Sequence, residues 1–554
     1  MRNRAWLLLS VVALAGVSGG QPLAGQGTSL SRTELAARID RVFEKWDRSD
    51  TPGCAVCVGM GGRPIVTRAY GMANLEYGAP ITVDTIFEAG SVSKQFTAAS
   101  IALLVQDGKL SLDDPVRKFL PEVPDVGTPI TIRHFLNHIN GLRCQWPLLT
   151  LAGRPPGSAV HTTEEILDLV SRQKRLNFAP GDEFLYNNTG YTLLGVIVRR
   201  VTGQSLAEFS DARLFKPLGM THTQWRTDHT AIVRGRATAY STDRDGKLHT
   251  AMPFTNVYGN GGLLTTVGDL LVWNNNLDTP RVGGRPMVEQ LETRGRLNDG
   301  FVNEYAEGLI LSEYRGLREI SHGGSTAGYQ GFLARFPGQR ISISLLCNLG
   351  SINAEALAHQ VADIVMADQF RDRALPPAIR LSPDIVKARA GVYRNPDTGG
   401  ILRIAFDKDR LRADGSELVP IAPDRCRDAT GQTEYTFAST GDQGQIRVRQ
   451  ATSGDRPVEF VAVTPFTPTP VQLAEFAGTY YSDELDVTYL VQMDNERMVV
   501  RHRPEPAVAV QPVYADAFDF GGGRVIRFTR DRAGRVDGLE IFAGRVRHLR
   551  LVRR

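Results

Sequence analysis

The dipeptide Pro376-Pro377 divides the sequence into two parts with different residue patterns. Residues 28–375 combine helical spacings with short apolar strands, whereas the later residues form alternating runs such as Ile401-Leu-Arg-Ile-Ala. Alternation of this kind, interrupted by Gly, Asp and Asn, is typical of antiparallel strands joined by turns. A chain of 554 residues is also too long for one hydrophobic core. The sequence therefore predicts an α+β domain at residues 28–375, followed by all-β structure.

The all-β part contains a short repeat. Ala390-Gly-Val-Tyr393 returns as Ala477-Gly-Thr-Tyr480, and each copy follows a short helical pattern. Between the copies, the proline-rich residues 464–470 favour an extended spacer. We therefore predict two small antiparallel β-barrel-like domains, at residues 383–466 and 470–554. One larger β-domain with a chance tetrapeptide match is the alternative.

The first residues have the layout of a secretory signal peptide. Arg2 and Arg4 precede an apolar stretch at residues 5–17, which small residues follow. We predict a signal peptide at residues 1–24. An uncleaved membrane anchor is the alternative, but the apolar run is shorter than the roughly 20 residues that a bilayer requires. We expect an exported protein, periplasmic or extracellular, without stable membrane insertion.

The charge and the histidine spacing of the sequence bear on two classes of binding partner, nucleic acids and metal ions. The formal net charge is +4, and no dense basic run suggests a nucleic-acid partner. His134 and His138 have the i, i+4 spacing of metal ligands, but no matching acidic or cysteine ligand accompanies them. We interpret both as core or helix-packing residues. No metal or cofactor is predicted, and the expected partner is a small-molecule or peptide substrate.

The cysteines are few. Five residues cannot all pair, and so sparse a count argues against a disulfide framework. Cys54 and Cys57 lie in a short apolar run, in which positions i and i+3 of a strand face opposite sides. We therefore predict two buried thiols rather than a metal or redox site.

The segment Ser91-Val-Ser-Lys94 opens a run of small and apolar residues at 95–106, which predicts a buried helix. Free N–H groups and the positive dipole end stabilise negative charge at such a position. Lys94 follows Ser91 by three residues, so that it projects from the same face and can share a proton with the hydroxyl. Burial lowers the pKa of a lysine, which lets it act as a base. Ser91 is the candidate nucleophile.

The S-x-x-K pattern alone does not identify an active site, because the chain contains a second copy at Ser171-Arg-Gln-Lys174. Two further segments therefore decide whether Ser91 and Lys94 are functional. That copy lies among basic residues at the polar end of a helical pattern, so we interpret it as structural.

Tyr186 and Asn188 fall where a loop enters a buried helix, for which Thr189 is the predicted cap. A phenol beside a lysine can relay a proton, and an amide can hold a substrate carbonyl.

The third segment is Ser321-His-Gly-Gly-Ser325, which follows a strand-like run and precedes a predicted hairpin with its turn at Pro337-Gly338. Glycines beside a strand let a ligand lie against the backbone. We predict that the N–H groups of Ser325 and Ser91 form an oxyanion hole.

In this order, the three segments resemble the serine β-lactamase and penicillin-binding protein superfamily. The Tyr-x-Asn form is similar to that of class C β-lactamases and their esterase and D-aminopeptidase relatives. Other stretches that resemble the family are Thr131-Ile-Arg-His-Phe-Leu-Asn-His138, Pro217-Leu-Gly-Met220 and Gly261-Gly-Leu-Leu-Thr-Thr266. The resemblance covers roughly residues 35–365 and implies a β-lactamase/transpeptidase-like fold, an antiparallel sheet with a helical cluster. The trailing β-domains resemble the layout of bacterial D-aminopeptidases.

The resemblance also implies roles for the candidate residues. Ser91 is expected to be acylated, while Lys94 and Tyr186 move its proton and later activate water. Asn188 is expected to orient the substrate. The expected protein is an exported serine hydrolase that cleaves an amide, peptide or ester through an acyl-enzyme, in the manner of a D-aminopeptidase.

One position departs from the family. His322, which with Gly324 is expected to line the strand beside the substrate, stands where β-lactamases and cell-wall carboxypeptidases generally have a lysine that binds the substrate carboxylate. A histidine is mostly neutral at pH 7, which weakens that attraction. The departure favours substrates without the carboxylate. A β-lactamase or D-Ala-D-Ala carboxypeptidase is the alternative, and a non-catalytic penicillin- or peptidoglycan-binding sensor is the alternative from another class.

Overall fold

The structure is a computed structural model that describes residues 31–372, 374–407, 410–440, 445–504 and 506–554. The predicted signal peptide lies outside these residues. Among the described residues, no helix is both long and apolar enough to cross a membrane.

The first part of the chain contains a mixture of helices and strands. Its helices are α1 Arg32–Phe43, α2 Lys94–Gln106, α3 Ile132–Leu136, α4 Gln145–Leu151, α5 Thr163–Ser171, α6 Asn188–Thr202, α7 Leu206–Ser210, α8 Lys216–Leu218, α9 Val267–Asp278, α10 Gly284–Leu291 and α11 Ala354–Val365. Its strands are β1 Cys54–Met60, β2 Arg63–Tyr70, β3 Met72–Asn74, β4 Ala79–Pro80, β5 Phe87–Glu88, β6 Gln224–Trp225, β7 Tyr240–Thr242, β8 Leu248–Thr250, β9 Leu263–Thr265, β10 Ile310–Tyr314, β11 Leu317–Thr326, β12 Tyr329–Phe336 and β13 Ile341–Cys347.

A six-stranded antiparallel sheet organises this part, in the order β10-β11-β12-β13-β1-β2. Its two faces contribute to different cores because successive side chains of a strand point to opposite sides. Val56 and Val58 of β1 pack with α1 and α11, whereas Ala55 and Cys57 belong to the larger core around α2 and α6. The predicted hairpin is present as β12 and β13, which pair from Gln330↔Cys347 to Phe336↔Ile341.

The prediction of two buried thiols at Cys54 and Cys57 is wrong for Cys54. Cys54 and Cys347 form a disulfide between the neighbouring strands β1 and β13, where they are register partners. Cys57 is a buried free thiol on the opposite face, as its spacing predicts. The sequence does not reveal this pair, because the two cysteines are 293 residues apart and only the pairing of β1 with β13 brings them together.

The second part is a closed antiparallel barrel of strands β14 to β21, preceded by a short helix. Its elements are α12 Pro383–Ala388, β14 Gly391–Arg394, β15 Ile401–Asp407, β16 Arg410–Ala413, β17 Ser416–Ala422, β18 Arg425–Arg427, β19 Thr433–Thr440, β20 Gln445–Thr452 and β21 Val458–Val463. Alternate side chains fill its interior, among them Leu402, Ile404 and Val448.

The third part is a nine-stranded antiparallel sheet, again preceded by a short helix. Its elements are α13 Pro470–Ala474, β22 Gly478–Ser482, β23 Val487–Asp494, β24 Arg497–His502, β25 Val508–Ala509, β26 Gln511–Tyr514, β27 Ala517–Asp519, β28 Arg524–Arg530, β29 Val536–Ala543 and β30 Leu549–Arg553. An α+β part followed by two barrel-like β parts confirms the predicted fold class.

The two copies of the tetrapeptide repeat have the same local structure. Each tyrosine is buried and lies on the first strand after a short helix. The hydroxyl of Tyr393 donates to the carbonyl of Arg389, and that of Tyr480 donates to the carbonyl of Phe476, both at 2.7 Å. Each tyrosine therefore ties its strand to the end of the preceding helix.

Candidate active site

Ser91 lies in a 3-10 turn, Gly90–Ser93, that leads directly into α2. The predicted helix is present, but its α-helical part begins at Lys94 rather than at Ser91. The turn is fixed from inside, because the Ser93 hydroxyl donates to the carbonyl of Gly90 at 2.5 Å and accepts from the Leu263 amide at 3.0 Å. Ser91 is thus presented at the entrance of a buried helix.

Lys94 is completely buried, and its amine has three oxygen neighbours. Its Nζ lies 3.1 Å from Ser91 Oγ, 2.9 Å from Asn188 Oδ1 and 2.5 Å from the carbonyl oxygen of Asn260. Burial lowers the pKa of Lys94 well below its usual range, and the nearby charge of Arg545 lowers it further. The structure therefore joins the predicted nucleophile to an amine that is easily deprotonated.

Helix α6 positions the second pair of predicted residues. The structure corrects its cap: the side chain of Asn187, not Thr189, accepts from the Gly190 amide, and the helix begins at Asn188. Thr189 instead accepts from the backbone of Gln145 on α4. Asn188 thus projects from the first helical position toward Lys94, and Tyr186 lies on the loop before it.

Tyr186 stacks among other rings beside the amine. Its ring centroid lies 4.8 Å from Lys94 Nζ and 4.3 Å from the ring of His138. Burial raises the pKa of Tyr186, although the adjacent Ser91 hydroxyl and the Arg545 charge act in the opposite direction. Its buried hydroxyl has no well-formed hydrogen bond among the described residues. Tyr186 therefore keeps its proton, and its hydroxyl lies beside that of Ser91.

His322 is buried on β11 and is electrically neutral. Burial, reinforced by the Lys94 charge, lowers its pKa to about 3. Its Nδ1–H donates to the carbonyl of Gly323 at 2.6 Å, so its Nε2 accepts from the Tyr305 hydroxyl at 3.1 Å. Both ring nitrogens are occupied, so His322 shapes the site without adding charge.

The glycines of β11 allow a close approach between this strand and the turn that carries Ser91. A Cβ atom added to Gly324 would lie 2.0 Å from the carbonyl oxygen of Ala89 and 3.0 Å from the Ser91 nitrogen. One added to Gly90, at a φ of +53°, would lie 2.5 Å from the Ser325 nitrogen. The two amides predicted to form the oxyanion hole are therefore on adjoining segments.

A cavity of about 350 Å³ opens beside Ser91. Asn188, Ser325 and the apolar or aromatic side chains of Trp146, Met252, Phe254 and Val257 line it. The acidic residue in its wall, Glu88, is buried and paired with Arg226 at 2.8 Å. The cavity thus offers an apolar surface without an unpaired negative charge in its described lining.

The structure also locates the residues interpreted as structural. Ser171 and Lys174 are exposed, and Lys174 pairs with Asp483 of the third part. His134 accepts from the Thr131 amide at the start of α3. His138 is a core residue, but its core is the aromatic cluster around Tyr186. No group of three or more potential metal ligands occurs in the described ranges.

Sequence reasoning missed three residues of the site. No sequence pattern singles out Asn260, which contributes a backbone carbonyl, and none singles out Tyr305 or Arg545. These residues come from separate segments, and the turn between β29 and β30 brings the Arg545 guanidinium to 4.7 Å from the Tyr186 ring centroid. Local pattern carries no information about such contacts.

Comparisons with known proteins identify relatives of this chain. A D-aminopeptidase of Brucella melitensis biotype 2 is 25% identical over 510 residues, which cover 88% of this chain and 93% of that protein. The octameric penicillin-binding protein homologue from Pyrococcus abyssi has a TM-score of 0.56 at 25% identity, covering 78% of this chain and 100% of that one. The D-amino acid amidase from Ochrobactrum anthropi SV3, at 23% identity, shares the fold with a TM-score of 0.52 over 60% of this chain and 99% of that one.

The family comparison covers more than half of the sequence. A family model described as Beta-lactamase matches residues 39–365, which include Ser91, Lys94, Tyr186 and His322. The chain therefore belongs to the Beta-lactamase family.

Proposed function

We propose that this serine hydrolase cleaves amide or peptide bonds through an acyl-enzyme on Ser91, with Lys94 as the base and Tyr186 as the proton donor to the leaving group. The names of the relatives support substrates built from D-amino acids, since they include a D-aminopeptidase and a D-amino acid amidase. Esters are a further substrate class that the same chemistry accepts.

The set of contacts around Lys94 carries this proposal. A neutral amine has two protons and one lone pair. The carbonyl oxygens of Asn188 and Asn260 accept the two protons, which leaves the lone pair for the Ser91 hydroxyl, 3.1 Å away. Ser91 can then donate its proton to Lys94 as its oxygen attacks the substrate carbonyl.

The remaining groups fit the later steps. The amides of Ser91 and Ser325 stabilise the oxyanion of the tetrahedral intermediate. Its collapse releases an amine, which takes its proton from the Tyr186 hydroxyl while Lys94 restores that proton. Water then attacks the acyl-enzyme with the same groups acting in reverse.

The experiment labels the intact protein with a fluorophosphonate and with a fluorescent penicillin, then follows the loss of the label. We expect Ser91→Ala to abolish labelling and Ser171→Ala, in the second S-x-x-K, to leave it unchanged. Labelling that persists in Ser91→Ala contradicts the proposal. A penicillin label that forms but never leaves supports the sensor instead.

A hydrolysis screen then defines the substrate. We expect turnover of D-amino acid amides or peptides above that of the L-forms, short-chain esters and the β-lactam nitrocefin. Rapid nitrocefin hydrolysis with no amide turnover would favour the β-lactamase alternative.

Export forms a separate part of the proposal. The signal-peptide pattern of residues 1–24 and the Cys54–Cys347 disulfide support it, since disulfides persist in oxidising compartments. Expression of the full chain with a C-terminal tag, followed by fractionation, tests it. We expect a shortened protein outside the cytoplasm, in which denaturation without reductant exposes the thiols of Cys57, Cys144 and Cys426 only. A full-length cytoplasmic product contradicts export.

A further inference from the structure

The turn between β29 and β30 of the third part is fixed in place against the candidate active site. The carbonyl oxygen of Arg545 accepts from the Cys144 amide at 3.3 Å and from Asn177 Nδ2 at 3.1 Å. Two residues further on, the Arg547 amide donates to Asn177 Oδ1 at 2.8 Å. Between these two residues, the Val546 side chain is fully buried in the large core that the first and third parts share. The backbone, not the Arg545 side chain, therefore holds this turn.

The guanidinium of Arg545 has no carboxylate partner among the described residues. The carboxylates close to the turn are already paired: Glu183 with Arg547 at 2.8 Å, and Glu540 with Arg527 at 2.5 Å. The side chain of Arg545 is half-buried and lies over the Tyr186 ring. A partly desolvated cation without a counter-ion favours an anionic ligand.

The charges around this position have one sign. Arg545 is the cation that lies over the Tyr186 ring, and Lys94 adds positive charge only in its protonated form, whereas His138 and His322 are neutral because burial lowers the pKa of each. The buried carboxyl of Glu307 also stays largely protonated at neutral pH, since burial raises its pKa to about 8. An ammonium group placed here would be repelled, and a carboxylate would be attracted.

The location of Tyr186 tells which part of a substrate meets Arg545. A leaving amine has to lie beside the hydroxyl that gives it a proton. The acyl portion then occupies the apolar cavity beside Ser91, whose described lining includes neither Tyr186 nor Arg545. Arg545 therefore faces the leaving group.

We infer that Arg545, supplied by the third part of the chain, binds a carboxylate on the leaving group, so that preferred substrates are peptides with a free C-terminal carboxylate. The inference rests on the proposed function. Arg545 also gives this site a positive charge that the neutral His322 lacks. This charge comes from a residue more than 200 positions later in the sequence than His322.

The test uses the full chain and two dipeptides that differ only at the C-terminus, D-Phe-D-Ala and its C-terminal amide. We measure kcat/KM for both substrates and take the ratio, acid over amide. In Arg545→Gln we expect this ratio to fall by about ten- to hundredfold, the usual effect of removing a charged hydrogen bond. Arg545→Lys keeps the charge but not the planar fork, so it should recover part of the ratio.

Arg550→Gln is the matched control, because Arg550 is exposed on β30 of the same part and should leave the ratio unchanged. Thermal unfolding shows whether each variant is folded. Equal losses on both dipeptides in Arg545→Gln would contradict the inference, since Arg545 would then act on Tyr186 rather than on a carboxylate. Fluorophosphonate labelling of Ser91 without hydrolysis of either dipeptide also contradicts it. Absence of labelling instead contradicts the proposed function itself.

Discussion

Lys94 is a buried amine whose protonation state controls the proposed chemistry. Because burial lowers its pKa well below the usual range, the neutral form is present at lower pH than for an ordinary lysine. Only the neutral form accepts the Ser91 proton. The rate of acylation should therefore rise as pH increases through the lowered pKa, and then reach a plateau.

The second-order rate constant of fluorophosphonate labelling between pH 5 and 10 measures this effect. Lys94→Arg should lose at least about a hundredfold in that rate constant, because a guanidinium is not deprotonated in this range and general base catalysis contributes that much. The same substitution at Lys174, in the exposed copy, should leave labelling unchanged. A profile independent of pH, or rapid labelling of Lys94→Arg, would refute the role of Lys94.

Tyr305 contacts His322, which is predicted to line the substrate, rather than the substrate itself. Tyr305→Phe removes the hydroxyl that donates to His322 Nε2 and leaves a buried acceptor unpaired. We expect the free energy of unfolding to fall by about 1–3 kcal/mol, with a weaker effect for Tyr314→Phe, whose hydroxyl bonds to the partly exposed Asp363. Urea unfolding of both variants checks this. Equal stability losses would mean that the His322 contact has no special role.

How much of the site the sequence predicts depends on how far apart its residues lie along the chain. Lys94 follows Ser91 by three positions, so helical geometry alone brings them together. Tyr305 and His322 lie on different segments, and Asn260 is 166 residues from Lys94. Their contacts depend on how the sheet and helices pack, which no local pattern specifies.

At the scale of elements, the site depends on how closely β11 approaches the turn before α2. Hydrophobic alternation predicts β11, β12 and β13, and the glycines of Ser321-His-Gly-Gly-Ser325 indicate a close approach, but not to which segment. The same limit explains the error at Cys54, whose partner is defined by the β1–β13 register. Strand order in a sheet is set by long-range packing rather than by the residues of one strand.

Gly324 and Gly323 provide a matched test of this approach. A Cβ atom on Gly324 would lie 2.0 Å from a backbone oxygen, whereas one on Gly323 would make an ordinary 3.7 Å contact with Phe332. Gly324→Ala should therefore displace the turn, destabilise the protein by about 1–3 kcal/mol and reduce labelling of Ser91 by at least about tenfold. Gly323→Ala should be nearly normal in both respects. Similar behaviour of the two variants in urea unfolding and labelling would exclude this contact as a determinant.

At the scale of the whole molecule, the three parts of the chain are not structurally independent. One continuous core includes Leu148 and Leu151 of α4 together with Leu473, Tyr489 and Val546 of the third part. The third part also delivers Arg545 to the site. Sequence pattern predicted its β structure but not its docking, because alternation reveals a buried face without revealing what covers it.

Arg143 and Glu484 test this docking. They form an ion pair at 2.5 Å between the first and third parts, with side-chain exposures of 0% and 7%. Arg143 also donates to the carbonyl oxygens of Arg547 and His548, next to the turn that carries Arg545. Loss of one partner from a buried pair leaves an uncompensated charge. Glu484→Gln should therefore weaken both the interface and the position of that turn.

We expect Glu484→Gln to lower the free energy of unfolding by about 3–5 kcal/mol and to reduce the preference for a carboxylate leaving group. The adjacent residue offers the control, because Asp483 pairs with Lys174 on the exposed surface and such pairs contribute little. Urea unfolding and limited proteolysis between the second and third parts, applied to Glu484→Gln and Asp483→Asn, make the comparison. If the two variants resist proteolysis equally, the third part does not depend on the buried pair for its docking, and the apolar core alone holds Arg545 at the site.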